Sequence, residues 1–192
     1  MSEEVHSNND CLLVVVMSHG SEDGEMYAAK NEKYPVEELW EKFLGDNCKS
    51  LMGKPKIFVI QACKGNMFNN GILFKPEKLE KKEVGTEPKF SDVSIPNLAD
   101  LLVMCSTSNE YYKFCNEKGG SIFIQAFCEE LKKNSHKDLM KILTGVNRKV
   151  AFENQSKDED NAKMESATQM PNITSLLTKT MYFSQKTYKP EA

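Results

Sequence analysis

Two apolar runs of the same design constrain this chain most. Ile57-Phe58-Val59-Ile60-Gln61-Ala62 is β-branched and aromatic and leads into Cys63-Lys64-Gly65. It reads as a buried strand that ends in a thiol beside a turn. Leu12-Leu13-Val14-Val15-Val16-Met17 leads in the same way into Ser18-His19-Gly20. Open α/β sheets carry their reactive groups at the C-terminal ends of their strands. Two parallel neighbours of this kind bring Cys63 and His19 together at one edge of the sheet. A thiol needs such a base, because the thiolate is the nucleophile and a free cysteine is mostly protonated at neutral pH. Taken singly, His19 reads more readily as a turn residue and Cys63 as a core thiol; the pairing of the two motifs is what points to chemistry.

The remaining elements follow from periodicity and punctuation. Residues 11–17 form the first strand, and Asp23-Gly24 suggests a tight turn after it. Pro35 opens a helix whose apolar residues Val36, Leu39, Trp40, Phe43 and Leu44 make one buried stripe. Residues 56–61 are the second parallel strand and Leu101-Leu102-Val103-Met104-Cys105 the third. One helix carries Phe123, Ile124, Phe127, Cys128 and Leu131 inward, and another Leu139, Ile142, Leu143, Val146 and Val150. Met181-Tyr182-Phe183 closes with a last strand. Strands alternating with helices predict an α/β fold, a mostly parallel sheet with helices on both faces. Two segments break the pattern: 74–88 is crowded with Lys and Glu, and 157–166 is polar and acid-rich. Both read as solvated loops.

A length of 192 residues suits one structural domain, and 40% hydrophobic with 28% charged residues suits a water-soluble one. The formal charge of −3 gives no broad attraction to nucleic acid or to anionic membranes. The apolar runs are strand-sized, too short to span a bilayer, and none lies near Met1 to act as a secretory signal. The six cysteines are scattered without a C-x-x-C pair and there are three His, so a metal site has little support and no cofactor is implied. Cys11, Cys105 and Cys128 fall in apolar patterns and are expected to be buried thiols. A reducing, cytoplasmic location is expected.

Met17-Ser18-His19-Gly20 with Gln61-Ala62-Cys63-Lys64-Gly65 resembles the caspase family of cysteine proteases, whose signature is Q-A-C-[RQG]-G with a histidine upstream. His19 stands 44 positions before Cys63, and Lys64 departs from the signature set. Further matched stretches include Gly53-Lys54-Pro55-Lys56, Tyr111-Tyr112, Phe123-Ile124-Gln125, residues 142–150, Pro171 and Leu177-Thr178-Lys179, in family order. The resemblance implies a division of the single domain into a large-subunit-like part with the catalytic residues (1–66), a polar intersubunit-like linker (67–92) and a small-subunit-like part (93–192). Asp92 is the candidate processing site in that linker. It also implies Cys63 as nucleophile, His19 as general acid–base, and the backbone N–H groups of Gly20 and Cys63 as oxyanion donors. The first strands of the family fold are expected to be lacking, because only residues 1–10 precede the strand ending at His19; that strand's edge and one apolar face are then uncovered.

The resemblance implies a basic pocket for a substrate aspartate, built from two arginines and a glutamine. Gln61 matches the glutamine. One arginine belongs to the absent N-terminal part. The other lies in the family's Tyr-Ser-Trp-Arg-Asn run, which here is Tyr112-Lys113-Phe114-Cys115-Asn116, so Cys115 stands in the arginine position. In an extended segment Lys113 shares a face with Cys115 and offers an ammonium, a point charge without the guanidinium fork. Two functions follow. One is a cysteine endopeptidase acting on protein or peptide substrates in apoptosis or a related proteolytic pathway. The other is a pseudo-caspase that regulates an active relative by pairing with it. A homodimer or heterodimer through the C-terminal edge strand, around Met181-Tyr182-Phe183, is implied for either.

Overall fold

The computed structural model describes residues 5–21, 25–62, 97–107, 115–116, 120–153 and 169–183. The Asp23-Gly24 turn, the 67–92 linker with its charged 75–88 core, and the 157–166 loop lie outside the described residues.

Strand β1 is Leu12–Met17, followed by the short pair β2 (Met26–Tyr27) and β3 (Lys33–Tyr34) and by helix α1 (Glu38–Glu41). Strands β4 (Lys56–Gln61) and β5 (Leu101–Cys105) come next, then the small pair β6 (Cys115–Asn116) and β7 (Gly120–Ser121). Helices α2 (Ile122–Asn134) and α3 (Leu139–Arg148) and strand β8 (Asn172–Ser175) complete the order. The main sheet runs β1-β4-β5-β8. β1, β4 and β5 are mutually parallel, and β8 runs antiparallel to β5.

The pleat sorts the apolar runs into two cores. Ile57, Val59, Leu102 and Met104 face one side and pack with Phe123, Phe127, Leu139, Leu143 and Val146 of α2 and α3. Phe58, Ile60, Leu101 and Val103 face the other side and pack with Met26, Val36, Leu44 and Leu51, where Trp40 and Phe43 bring their rings within 6.0 Å of Phe58. All six residues of β4 are buried. A strand covered on both faces reads as a continuous apolar run rather than an alternating one.

β1 differs. Leu12, Val14 and Val16 turn toward the second core, while Leu13, Val15 and Met17 are 39%, 46% and 62% exposed. Among the described residues β1 is an edge of the sheet, and Leu13, Val15 and Met17 are not among the residues packed with α2 and α3. Among the described residues, then, the β1 edge is unpaired and its Leu13, Val15 and Met17 are exposed.

Both main helices are capped from their own sequence. The Ser121 hydroxyl accepts from Ile124 N at 3.2 Å, and the Asp138 carboxylate accepts from Met140 N and Lys141 N at 3.0 and 3.3 Å. Such caps satisfy amides that the first helical turn leaves without partners. At the other end of the sheet Asp100, with φ of 62°, accepts from Thr178 N and Thr178 Oγ1 at 3.1 and 2.6 Å. This clamp fixes the path that follows β8.

Three expectations change. The helix after Pro35 is a single turn, because most bonds from 38 to 44 span three residues rather than four, and Gly45 then turns the chain with φ of 47°. Val36 and Leu44 are nonetheless buried, as the apolar stripe requires. The last strand of the sheet is Asn172–Ser175, not Met181-Tyr182-Phe183. Met181 is buried instead, its carbonyl accepts from Leu139 N at 2.7 Å, and Tyr182 makes an isolated bridge with Asp138. Once the Asp100 clamp has turned the chain, Met181 packs into the core of α3 rather than continuing the ladder. Finally, among the four cysteines whose burial is described, Cys128 is exposed, Cys11 and Cys105 are half-buried and Cys48 is the buried one. On α2 the buried stripe is Phe123, Ala126 and Phe127. Cys128 is one step of about 100° past Phe127 and leaves the stripe.

Covered and exposed positions on the face shared by Ile57, Val59 and Val15 should differ in mutational cost. Phe123→Ala, at a fully buried site, should lower stability by about 3–5 kcal/mol, whereas Val15→Thr should change it by roughly 0.5 kcal/mol or less. Urea unfolding of both variants measures this.

Candidate active site

The register sets the site. Leu12 pairs with Lys56 and each following residue with the next, so Met17 stands beside Gln61 where both strands end. One more bond, Ser18 N to the Gln61 carbonyl at 3.0 Å, carries the pairing past the strands. His19 and Cys63 thus each lie two residues beyond one matched pair. Cys63 lies outside the described residues, as do Tyr112, Lys113, Phe114 and Asp92.

His19 is exposed, and its backbone is held by a small hairpin. Tyr27 N donates to the His19 carbonyl at 2.9 Å, the Ser18 hydroxyl donates to the Tyr27 carbonyl at 2.6 Å, and Ser21 N donates to the Glu25 carbonyl at 2.8 Å. These bonds frame an antiparallel bridge between Gly20 and Met26. Because the flanking residues make them, Gly20 is the non-hydrogen-bonded member of its pair, and its own N–H points away from Met26. That is the side on which Ser18 N meets Gln61. Gly20 sets no Cβ beside this amide.

Gln61 is 1% exposed at the end of β4. Its neighbours are polar residues that the sequence reading passed over. Ser106 and Thr107 follow β5 and are 0% and 1% exposed; Gln169, just before β8, is 3% exposed. Ser106 N donates to the Ile60 carbonyl at 2.9 Å, Ser106 Oγ to the Ala62 carbonyl at 3.3 Å, and Gln169 Nε2 to the Ser106 carbonyl at 2.7 Å. The signal for Ser106 and Thr107 was a hydroxyl pair directly after a buried strand, at the reactive end of the sheet. For Gln169 no local signal exists, since it comes from a segment 63 residues away.

Cys115 lies in β6, where it pairs with Ser121 of β7, and Asn116 pairs with Gly120. Ser121 is also the cap of α2. The backbone at Cys115 is therefore tied to the start of that helix. Among the described residues no group of three metal-ligating side chains occurs, and no helix is long and apolar enough to cross a membrane.

The thiols differ in character. Burial, and secondarily the Asp10 carboxylate, push the Cys11 thiol up from its ordinary value. Brief alkylation of the native protein should therefore modify Cys128 ahead of Cys11 and Cys48, read by peptide mass spectrometry. Equal modification of Cys48 and Cys128 would contradict the packing described above.

Comparison with known proteins agrees with this geometry. The family model described as Caspase domain matches residues 1–182. Caspase-1 of Spodoptera frugiperda is 41% identical over 186 residues, covering 96% of this chain and 60% of that protein. Caspase-3 of Bos taurus is 42% identical over 184 residues, covering 95% and 63%. The crystal structure of Caspase-1 from Spodoptera frugiperda superposes with a TM-score of 0.83 at 38% identity, covering 98% of this chain and 68% of that one. The chain thus spans about three-fifths of the length of these curated relatives. With the family model running through nearly the whole chain and relatives about 40% identical over most of it, this protein belongs to the caspase family.

Proposed function

We propose that this chain carries a cysteine endopeptidase centre in which Cys63 is the nucleophile and His19 the general acid–base, acting on protein or peptide substrates in apoptosis or a related pathway, in the cytoplasm. The observation that carries the reading is the level ending of β1 and β4, Met17 beside Gln61, each followed two residues later by one member of the pair. The Cys63 thiolate attacks the scissile carbonyl, a sulfur–carbon bond forms, and the carbonyl π electrons move onto oxygen. The amides of Cys63 and Gly20 receive that oxyanion. As the oxyanion re-forms the carbonyl, the carbon–nitrogen bond breaks and the imidazolium of His19 gives its proton to the leaving amine. Water, deprotonated by the neutral His19, then releases the acid and the free thiolate.

One position favours the second reading, a pseudo-caspase that regulates a relative by dimerising with it. Cys115 stands where the family's carboxylate-binding arginine belongs. A desolvated carboxylate without its guanidinium loses about 3–5 kcal/mol, roughly two to four decades of rate when the loss falls on the transition state. Lys113 is the one nearby residue in that run with a replacement charge. For pairing, the sheet offers β8 as its C-terminal edge. Asp92 remains the proposed processing site.

A peptide-cleavage screen on the purified chain decides between the two. Activity lost in Cys63→Ala and lowered about 10²–10⁴-fold in His19→Ala supports the peptidase. No turnover above the Cys63→Ala background for any peptide supports the regulator.

Cys115→Arg should raise kcat/KM for an Asp substrate relative to its Asn isostere, and only partly restore a family-like preference, because a single guanidinium is added. If Lys113 already supplies the cation, the parent will prefer Asp, and Lys113→Ala will remove that preference.

A further inference from the structure

We propose that Ser106 is a positioning residue for the oxyanion site, acting through the peptide that joins Ala62 to Cys63; this rests on the reading of Cys63 as nucleophile and deepens it. β4 ends at Gln61, and Ala62, 2% exposed, stands beyond the strand. Its carbonyl nevertheless accepts a hydrogen bond, from the Ser106 hydroxyl at 3.3 Å. Ser106 is itself fixed at two further points, its N–H on the Ile60 carbonyl at 2.9 Å and its carbonyl under Gln169 Nε2 at 2.7 Å. Both Ser106 and Gln169 are buried, so the group is screened from water.

The consequence comes from the peptide bond. The carbonyl of Ala62 and the amide N–H of Cys63 belong to one rigid planar unit. A donor held on that oxygen sets the tilt of the plane, and so the direction of the N–H on its other side. It also polarises the unit, since hydrogen bonds in a chain strengthen one another in a low-dielectric setting. The Cys63 N–H is one of the two proposed oxyanion donors, and such donors work by being aimed before charge develops. Ser106, backed by Gln169, thereby links the small-subunit-like part to the catalytic peptide of the large one.

The test uses Ser106→Ala, which removes the hydroxyl, and Ser106→Cys, which keeps a weak donor of similar size. Thermal melts establish that both fold. In Ser106→Ala, kcat for a cleaved peptide should fall about tenfold with KM within about twofold, and Ser106→Cys should lie between it and the parent. Alkylation of Cys63 by iodoacetamide displaces iodide at a methylene carbon and creates no oxyanion, so its rate should not change. An unchanged kcat, or a kcat and an alkylation rate that fall together, overturns the proposal. A parent that cleaves no peptide refutes the protease reading instead. The decision on Ser106 then comes from a chain labelled with ¹⁵N-cysteine, in which Ser106→Ala should move the Cys63 amide proton upfield and leave the Cys11 and Cys128 amides in place. A stationary Cys63 resonance overturns it.

Discussion

Everything at the reactive edge depends on the parallel ladder between β1 and β4. Its register is fixed by burial. Ile57 and Val59 must face α2 and α3, and Phe58 and Ile60 must face the Trp40 and Phe43 layer. A slip by one residue would exchange these faces, so the packed core on both sides admits a single alignment. That alignment ends both strands at the same level, with Met17 beside Gln61. The level ending of the two strands that lead toward His19 and Cys63 is thus set by apolar side chains that take no part in chemistry.

Beyond the strand ends the ladder can no longer supply partners, and side chains and a hairpin take over. Ser18 and Tyr27 hold the His19 backbone, and the bridge at Met26 turns the Gly20 amide outward. On the other side Ser106 holds Ala62, with Gln169 behind it. Buried polar groups of this kind are costly unless satisfied, and here their bonds run between segments far apart in sequence. The arrangement joins the early and late parts of the chain around one edge of the sheet.

The same sheet shows where the chain is unlike a closed domain. β4 is buried on both faces, while β1 leaves Leu13, Val15 and Met17 in solvent. An uncharged edge strand with an apolar face is a template for further pairing. At the opposite edge β8 is short, and its exposed residues are Asn172, Thr174 and Ser175. The two edges therefore differ in chemistry, one apolar and one polar.

The strand limits of β4 and β5 and the buried stripe of α3 were legible from the sequence alone, because each rests on local composition. A short β-branched run that leads into a turn is what a strand covered on both faces needs. The single-turn helix after Pro35, the exposure of Cys128 and the placement of Met181 were not legible. Each was settled by competition among distant groups: three-residue bonding near Pro35 and Gly45, the choice of Phe123, Ala126 and Phe127 as the inward face, and the Asp100–Thr178 clamp that turns the chain into α3. Ser106 and Gln169 belong to the same class. The sequence determined which residues can do chemistry, since that is a property of side chains. Tertiary structure decided which peptide they hold in place, since that depends on where chain segments 44 and 63 residues apart meet.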